Sequence, residues 1–546
     1  MKKIFYNGKI ISYTKDSYRY YYAMVVSENR IENLILKNDF ELVDYNSYEC
    51  IDLKARTVVP GFNDSHMHLI NYGFQKYKLD FSKCDSIEAM RKIIIEFLSC
   101  KGHESLYGEW IVGYGWNELK FKEKRLPTRK DFDDILPNIP FFAARICGHI
   151  ALGNTFAFNE ANINLNSENP EGGSFDRGSD SKINGIAREN ALFELFNAIP
   201  LPNNKTVIKS VIRNTILELN KKGITSVQTD DFSHVLDPIV VLECFDELRK
   251  DKLLNCRICE QQLFLTPLEF QTYIKSCGRI YVEDDEYFKR GPLKILADGS
   301  FGAKTAALFE NYNKEEHNGI LAFSDSKMDE FLEIALKNNM TFAVHAIGDR
   351  AMDQVLRSKR NVEKKYGYKF KRPKLVHCQI GSKQIFELMA AEGVGACIQP
   401  VFLMSDYTMI ESRISHVKSK YSYAWKSMLR EGVHISGSSD APIESFDPFI
   451  GIYSAVTRMD LDCKPSNGWN SLEKLNVNEA LKLFTLNSAF DTFEENIKGD
   501  LKVGKLADFV VLSENILEVN PIKICEVEVV STIFDGNYVY KNKNYL

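Results

Sequence analysis

Val58-Val-Pro-Gly-Phe-Asn-Asp-Ser-His66-Met-His68-Leu69 is an apolar segment that ends in two histidines. Side chains of a strand alternate between its faces, so both imidazoles project to the same side, about 7 Å apart along the chain. Two imidazoles on one face can hold one metal ion. An isolated His-x-His pair is equally compatible with a strand end that carries two histidines by chance, so the rest of the chain must decide between these interpretations.

Length and composition describe an ordinary globular protein. The chain has 546 residues, of which 44% are hydrophobic and 26% are charged, and this is enough for a large core and more than one domain. The net charge of −5 favours neither nucleic acid nor an anionic membrane as a partner. No apolar run approaches the roughly 20 residues of a membrane span, and polar residues interrupt any signal-peptide core at residues 7–9. We therefore expect a cytoplasmic protein.

Segments of strand character alternate with helical patterns through most of the chain. The predicted strands are 58–66, 224–229, 257–265, 293–298, 341–347, 374–379, 395–399 and 434–438. The helical patterns between them include 205–222, 238–250, 328–338, 350–365, 383–392 and 423–431. This α/β alternation predicts a (β/α)8 TIM barrel, and the active site of such a barrel lies at the C-terminal ends of its strands.

Three regions are expected to lie outside the barrel strands. Short strand patterns at both ends of the chain, in residues 1–57 and 497–546, predict one small composite β-sandwich. The barrel then occupies residues 58–496. About 150 residues separate its first two strands, far more than such a connection needs, so we predict an inserted α+β subdomain at about 71–202. Insertions at the catalytic face usually shape or cover the substrate pocket.

Polar side chains recur at the predicted strand ends. Lys294 lies in otherwise apolar strand four, where an unpaired ammonium group is costly. His345 lies in strand five, His377 in strand six, and Asp440 follows strand eight. Each is weak evidence alone, because single strand histidines are mostly structural and the segment around Asp440 would also suit a plain turn or helix cap. Together with the first two histidines, they place six metal-binding candidates near one rim of the barrel.

The local motifs resemble the amidohydrolase superfamily, and in particular the amidohydrolase family 3 branch that includes N-substituted formamide deformylase. The resemblance covers nearly the whole chain and is specific for superfamily and branch, but not for substrate. The motifs that carry it are Pro60-Gly-Phe-Asn-Asp-Ser-His-Met-His68, Asp298-Gly-Ser-Phe-Gly-Ala-Lys-Thr305-Ala, His345-Ala-Ile-Gly-Asp349, Gly437-Ser-Ser-Asp-Ala-Pro442 and Gly499-Asp-Leu-Lys-Val-Gly-Lys-Leu-Ala-Asp508.

The resemblance implies a binuclear metal centre, in which His66 and His68 bind one divalent ion and His345 and His377 bind the other. It also implies that Lys294 is carboxylated on its side-chain nitrogen, since a carbamate supplies two oxygens and negative charge between two cations. Zinc suits the imidazole ligands, and iron or manganese would suit the same set. A one-metal site with Lys294 as a substrate-binding cation and a scaffold without metal are the alternatives.

The implied reaction is hydrolysis of a non-peptide carbon–nitrogen bond, of the linear amide or N-formyl type, by metal-activated water. Asp440 would bind the first metal, accept the proton of the water and donate it to the leaving nitrogen. A mononuclear deaminase is the nearest alternative, but Gly348 stands three residues after His345 where such enzymes commonly carry a glutamate. Phosphotriester hydrolysis, and a non-catalytic regulatory or binding protein on the same fold, are further alternatives.

Four more residues are predicted to line the substrate pocket. Arg145 and His149, near Asn154 in the insertion, resemble a segment that faces the metal site in this branch, although His149 would serve equally as a loop anchor. Asp298 shares a strand face with Lys294 and either orients Lys294 or the substrate, or holds a structural turn. Gln399 ends strand seven. The expected partner is a small-molecule substrate, and a homodimer stays open.

Overall fold

The structure, a computed structural model, describes residues 2–14, 17–41, 47–99, 106–146, 150–170, 172–277 and 285–545. The chain divides into two compact units. The first comprises Met1–Leu69, Arg213–Ser233 and Val241–Leu546, and the second comprises Ile70–Ile212 with His234–Val240. The second unit therefore spans slightly more of the chain than the predicted insertion at 71–202.

Eight strands of the first unit form one sheet in chain order, and every hydrogen-bonded pair in it is parallel. They are β1 Phe62–Met67, β2 Ile224–Thr229, β3 Arg257–Leu263, β4 Phe288–Leu296, β5 Phe342–Gly348, β6 Lys374–Ile380, β7 Gly395–Ile398 and β8 Ile435–Gly437. Two backbone hydrogen bonds join the ends of this sheet, from Asp440 N to His66 O (2.9 Å) and from His68 N to Ala441 O (2.8 Å). The predicted TIM barrel is confirmed.

Helices lie between consecutive barrel strands, as the alternation predicted. They begin and end where local chemistry dictates: the Ser382 hydroxyl accepts a hydrogen bond from Ile385 N at the start of one helix, and Gly393 takes a left-handed conformation at its end (φ 63°). The principal helices are Lys205–Lys221, Pro238–Lys250, Pro267–Cys277, Asp325–Lys337, Asp349–Tyr366, Lys383–Glu392, Phe402–Arg413, His416–Ser419, Trp425–Glu431, Pro448–Thr457, Val477–Leu483 and Leu486–Asp491. Within the described residues, none of the helices combines the length and apolar character needed to span a bilayer.

The prediction of one continuous strand at 58–66 is wrong, because this segment forms two strands that are separated at Gly61. Thr57–Pro60 joins a terminal sheet, whereas Phe62–Met67 is the first barrel strand. A Cβ atom at Gly61 would lie 2.1 Å from the Thr225 hydroxyl oxygen, so any larger residue would clash with the Thr225 side chain. An apolar run spanning both strands gave no sign of this division.

The first unit contains two further sheets, of which one combines strands from both ends of the chain and the other has only strands from the N-terminal end. One has the order Asn537–Lys541, Val529–Phe534, Phe509–Leu512, Thr57–Pro60, Lys9–Tyr13, Tyr18–Tyr21. The other has the order Arg30–Ile35, Ala23–Ser27, Lys3–Tyr6, Glu49–Asp52. Phe5 and Met24 of the second sheet share one buried cluster with Ile10, Phe509 and Ile533 of the first. The two sheets therefore pack face to face as a sandwich.

The second unit contains a mixed sheet of its own. Its strand order is Gly173–Arg177, Ile183–Glu189, Ile150–Gly153, Phe141–Arg145, Ile111–Trp116, Leu79–Asp80. Its helices include Leu69–Gln75, Ile87–Ser99, Thr155–Glu160 and Asn190–Phe196. Trp116 and Phe132 are buried in its core, and the Trp116 indole donates a hydrogen bond to Ala143 O (2.9 Å). This unit has the α+β character expected for the insertion.

Candidate metal centre

His66, His68 and Asp440 form a group whose ligand atoms all lie within 4.8 Å of one another. Nε2 of each histidine is 3.2 Å from Asp440 Oδ1. The backbone hydrogen bonds that join the loop after β8 to β1 bring these sequence-distant residues together. Asp440 is held in a left-handed conformation (φ 59°), which a non-glycine residue adopts only when its surroundings enforce it.

Hydrogen bonds fix the tautomer of His66. Gln261 Nε2 donates to the Ser65 carbonyl oxygen (3.1 Å), so Gln261 Oε1 is the atom that faces His66 Nδ1, at 2.9 Å. Nδ1 must therefore carry a proton, and burial lowers the pKa of His66, which keeps the ring neutral. The Nε2 lone pair consequently faces a carboxylate oxygen of Asp440. A cation between these two atoms removes their repulsion, so this donor set fits a metal ion.

His68 and Asp440 are strongly coupled. His68 donates its Nδ1 proton to the Asp230 carbonyl oxygen (2.8 Å). Burial alone would lower the pKa of His68, but its hydrogen bond to Asp440 and the charges of Asp440 and Asp230 raise it to about 9. Burial alone would raise the pKa of Asp440, but the histidines that surround it bring it well below its usual range. Asp440 is therefore a carboxylate at neutral pH.

His345 and His377 form the other half of the site, with ring centroids 4.4 Å apart. The His377 ring lies 6.1 Å from the His66 ring, so the four imidazoles converge. Gln399 Oε1 accepts from His377 Nδ1 (2.8 Å), and the Gly299 carbonyl oxygen accepts from His345 Nε2 (3.2 Å). Burial lowers the pKa of His377 to about 4 and that of His345 well below its usual range. Each ring is neutral and keeps one nitrogen lone pair for a metal.

Lys294 is buried on β4, and its ammonium nitrogen lies 3.4 Å from Asp230 Oδ2. Asp230, directly after β2, is itself buried. Its other oxygen, Oδ1, has no hydrogen-bond partner within the described parts of the chain. The positive charge of Lys294 contributes to the lowered pKa values of His345 and His377. Lys294 thus lies among the histidines, beside a carboxylate oxygen that lacks a donor.

The sequence analysis missed Gln261 and Asp230. Gln261 belongs to the run Glu260-Gln-Gln262 within β3, and a polar run inside a buried barrel strand was the one available signal. Asp230 had no comparable signal, because its role depends on its position beside Lys294 and His68 in the folded chain. Asp64 was also missed. It accepts hydrogen bonds from Ser439 N (3.1 Å) and Ser439 Oγ (2.5 Å) and so connects β1 to the loop after β8.

The structure shows what three of the residues predicted to line the pocket contact within the chain, and their contact with a substrate stays a prediction. Asp298 accepts backbone hydrogen bonds from Ala307 (2.8 Å), Ile347 (3.0 Å) and Gly348 (2.9 Å), as in the structural role considered for it. Gln399 holds His377, as described above.

In the second unit, Arg145 pairs with Glu118 (2.8 and 3.0 Å). Asn154 caps the helix Thr155–Glu160 through Ala157 N. His149 lies outside the described residues, and its substrate contact stays a prediction.

Gly348 bears on the deaminase alternative. A Cβ atom there would lie 1.9 Å from the Ala307 carbonyl oxygen. Because that atom belongs to the backbone, a glutamate at this position would require the loop before it to move. The surroundings of β5 thus exclude the proton-shuttling side chain that a deaminase of this superfamily would place there.

Comparison with known proteins agrees with this site. A sequence profile described as the amidohydrolase family matches residues 49–540. The protein YtcJ of Bacillus subtilis (strain 168) is 30% identical over 494 residues, which cover 90% of each chain. N-substituted formamide deformylase of Arthrobacter pascens is 24% identical over 527 residues, which cover 95% of each. The crystal structure of an uncharacterized metal-dependent hydrolase from Pyrococcus furiosus superposes with a TM-score of 0.77 at 26% identity, covering 95% of this chain and 100% of that one. The chain therefore belongs to the amidohydrolase family, as a metal-dependent hydrolase of carbon–nitrogen bonds other than peptide bonds.

Proposed function

We propose that this hydrolase cleaves a linear amide or N-formyl bond in a small molecule. The observation that carries the proposal is the position of Asp440, whose Oδ1 lies 3.2 Å from Nε2 of both His66 and His68. A carboxylate beside two metal-binding imidazoles is suited to move a proton between water and a leaving nitrogen. The similarity to N-substituted formamide deformylase supports an N-formyl substrate in particular.

The proposed metal ligands are His66, His68, His345, His377, Asp440 and Lys294 in its carboxylated form. A divalent ion held by these residues would polarise the scissile carbonyl and make water a better nucleophile. Zinc is the ion we propose, because neutral imidazoles prefer it, and iron or manganese would suit the same nitrogen and oxygen set.

Carboxylation of Lys294 is part of the proposal. An ammonium among metal-binding imidazoles would repel a divalent ion, whereas a carbamate would attract it. Addition of carbon dioxide requires the neutral amine, which loses a further proton as the carbamate forms. Asp230 Oδ2, 3.4 Å from the nitrogen, is in position to accept one of these protons.

Asp440 is proposed to be both general base and general acid. Both histidines approach its Oδ1, and no hydrogen bond between described residues involves Oδ2. That oxygen is available to take a proton from the attacking water and return it to the departing nitrogen. The low pKa of Asp440 keeps it ionised, and therefore ready to act as a base, across the physiological range.

The test is hydrolysis of N-alkylformamides and N-alkylacetamides by the zinc-loaded protein, followed through release of the acid and the amine. Asp440→Asn should lower kcat by about 10²- to 10⁴-fold, the usual contribution of a general acid–base group. Asp462→Asn, an exposed aspartate in a surface turn, is the matched control and should leave kcat unchanged. Turnover by Asp440→Asn within about tenfold of the parent chain would contradict the assigned role.

A further inference from the structure

A second group of polar residues lies at the C-terminal ends of β6, β7 and β8. Gln379 is on β6, two residues after His377, and Asp406 is on the helix Phe402–Arg413 that follows β7. Glu444 lies in the loop after β8, four residues beyond Asp440. Tyr423 follows the helix His416–Ser419, and its backbone N donates to Gln379 O (2.8 Å). We call Gln379, Asp406, Tyr423 and Glu444 the acidic cluster.

The acidic cluster adjoins the metal centre. The Phe402 ring stacks on the His377 ring, with centroids 6.1 Å apart and planes at 21°. Asp406 is four residues after Phe402 on the same helix, so the two side chains share a face about 5–6 Å apart. Glu444 Oε1 accepts a hydrogen bond from the neighbouring Ser405 hydroxyl (3.1 Å), which places the loop after β8 against this helix. Asp406 thus lies one helical turn after Phe402, whose ring stacks on His377.

One acceptor in this cluster lacks a donor. The Tyr423 hydroxyl donates to Asp406 Oδ2, and Gln379 Nε2 donates to the Tyr423 oxygen (2.7 Å). Gln379 is buried, and its Oε1 has no hydrogen-bond partner in the described parts of the chain. Exchanging the amide oxygen and nitrogen would not help, because the single tyrosine hydrogen already goes to Asp406. A buried amide oxygen without a donor costs free energy until a ligand supplies one.

The two carboxylates also lack a counter-ion. Burial raises the pKa of Asp406, and burial together with the charge of Asp406 raises the pKa of Glu444. Neither forms an ion pair with any described residue. Arg413 lowers the pKa of Asp406 from a distance, but it donates to the carbonyl oxygens of Phe301 (2.6 Å) and Gly302 (2.5 Å). A nearby cation would relieve the cost of two uncompensated, partly buried negative charges.

We propose that the acidic cluster binds a cationic nitrogen of the substrate, as an ammonium or a guanidinium group. Such a group offers several N–H donors, and Asp406, Glu444 and Gln379 Oε1 are available to accept hydrogen bonds from them. The substrate is then an amide that carries a basic nitrogen beyond its scissile bond. This inference rests on the amide hydrolysis proposed for the metal centre, since it names the class of amide that is cleaved.

The test compares two probes that differ only in charge, N-(4-aminobutyl)formamide and its neutral isostere N-pentylformamide. Binding of each to the full chain is measured by titration calorimetry. The cationic probe should bind at least about tenfold more tightly, as one charge-assisted hydrogen bond would provide. Asp406→Asn and Glu444→Gln should each reduce this preference, and both replacements keep an oxygen that can accept the existing hydrogen bond. Glu411→Gln, on the exposed side of the same helix, is the control and should preserve it.

Equal affinity for both probes, or no measurable binding of the cationic one, would overturn the inference. Turnover of the same probes by the zinc-loaded protein tests the proposed function separately. A cationic preference in binding without turnover of either probe contradicts amide hydrolysis and supports the cation site. Turnover of both probes with equal kcat/KM, unchanged in Asp406→Asn, supports amide hydrolysis and contradicts the cation site.

Discussion

At His68 the site holds a proton that a metal ion must displace. Burial opposes this proton, but the hydrogen bond to Asp440 and the charges of Asp440 and Asp230 raise the pKa of His68 to about 9. At neutral pH without metal, the ring is therefore a cation. Its Nε2, which faces Asp440, can bind a metal only after that proton leaves.

Zinc affinity should consequently increase as the pH rises from 6 towards 9 and then level off, because His68 is progressively deprotonated. Titration calorimetry at pH 7 in buffers of different ionisation enthalpy should show close to one proton released from His68 for each zinc bound at this position. His68→Ala should remove that proton release. An affinity independent of pH across this range would contradict the assignment.

Gln261 acts through His66, since it fixes which ring nitrogen is free. Gln261→Leu removes the acceptor for Nδ1–H, so the ring can rotate or change tautomer. Outer partners of metal-binding histidines typically contribute about 10- to 100-fold to metal affinity, and we expect a loss of that size. Competition with a chromophoric chelator measures it. Gln261→Glu, which keeps an oxygen towards Nδ1, is the control, and a loss of less than about threefold in Gln261→Leu would show that Gln261 is dispensable.

Gly61 separates one apolar run into two strands that belong to different sheets. Gly61→Ala would place Cβ 2.1 Å from Thr225 Oγ1 and 2.8 Å from Cγ2 of the same residue. We expect a loss of about 1–3 kcal/mol in the free energy of unfolding, as for other overpacked sites. Urea unfolding measures it. Thr225→Ala removes both close atoms, so the double variant should recover part of the loss, and strict additivity would contradict a direct clash.

Strand positions were more predictable than strand limits. Ile224–Thr229 has the predicted bounds, because Gly223 and Asp230 flank the strand pattern. β4 starts at Phe288 rather than at residue 293, although Gly291 and Pro292 usually interrupt a strand. Three steps along β4, from Arg290 to Leu293, oppose two steps on the neighbouring strand, from Glu260 to Gln262, so a β-bulge in β4 accommodates them. The bulge is defined by the pairing between the two strands, so the local sequence could not reveal it.

The residues of the candidate site were also predictable only in part. The motifs named the histidines, Lys294 and Asp440, and the structure brings these residues together at one end of the barrel. The sequence analysis missed Gln261 and Asp230 because their importance comes from the residues that they contact in the folded chain. Asp298 and Gln399 hold backbone and imidazole groups in position, and their predicted contact with a substrate stays a prediction.

Arg257 connects the barrel to the terminal sandwich. This buried residue of β3 forms bonds to Asp508 (2.6 and 3.0 Å) and Asp535 (2.6 Å), and its guanidinium lies 4.6 Å from the centre of the Phe534 ring. Each carboxylate belongs to the sandwich end of the chain. The fit is planar and bidentate, which lysine could not reproduce.

Arg257→Met should lower the free energy of unfolding by about 3–5 kcal/mol, because it leaves Asp508 as an uncompensated buried charge. Urea unfolding followed by tryptophan fluorescence measures this loss. Arg357→Met is the control: its side chain is 40% exposed, and its ion pairs should contribute less than about 1 kcal/mol. Equal losses in the two variants would show that the connection is not important for stability.

The hydrogen bonds from Asp440 to His66 and from His68 to Ala441 join the first strand of the ring to the loop after its last strand. During synthesis, the two histidines leave the ribosome hundreds of residues before the aspartate they need. A nascent chain, or a proteolytic fragment that lacks the final strand, therefore cannot assemble the centre. Hydrolytic activity is therefore expected only from a chain that includes the loop after the last barrel strand.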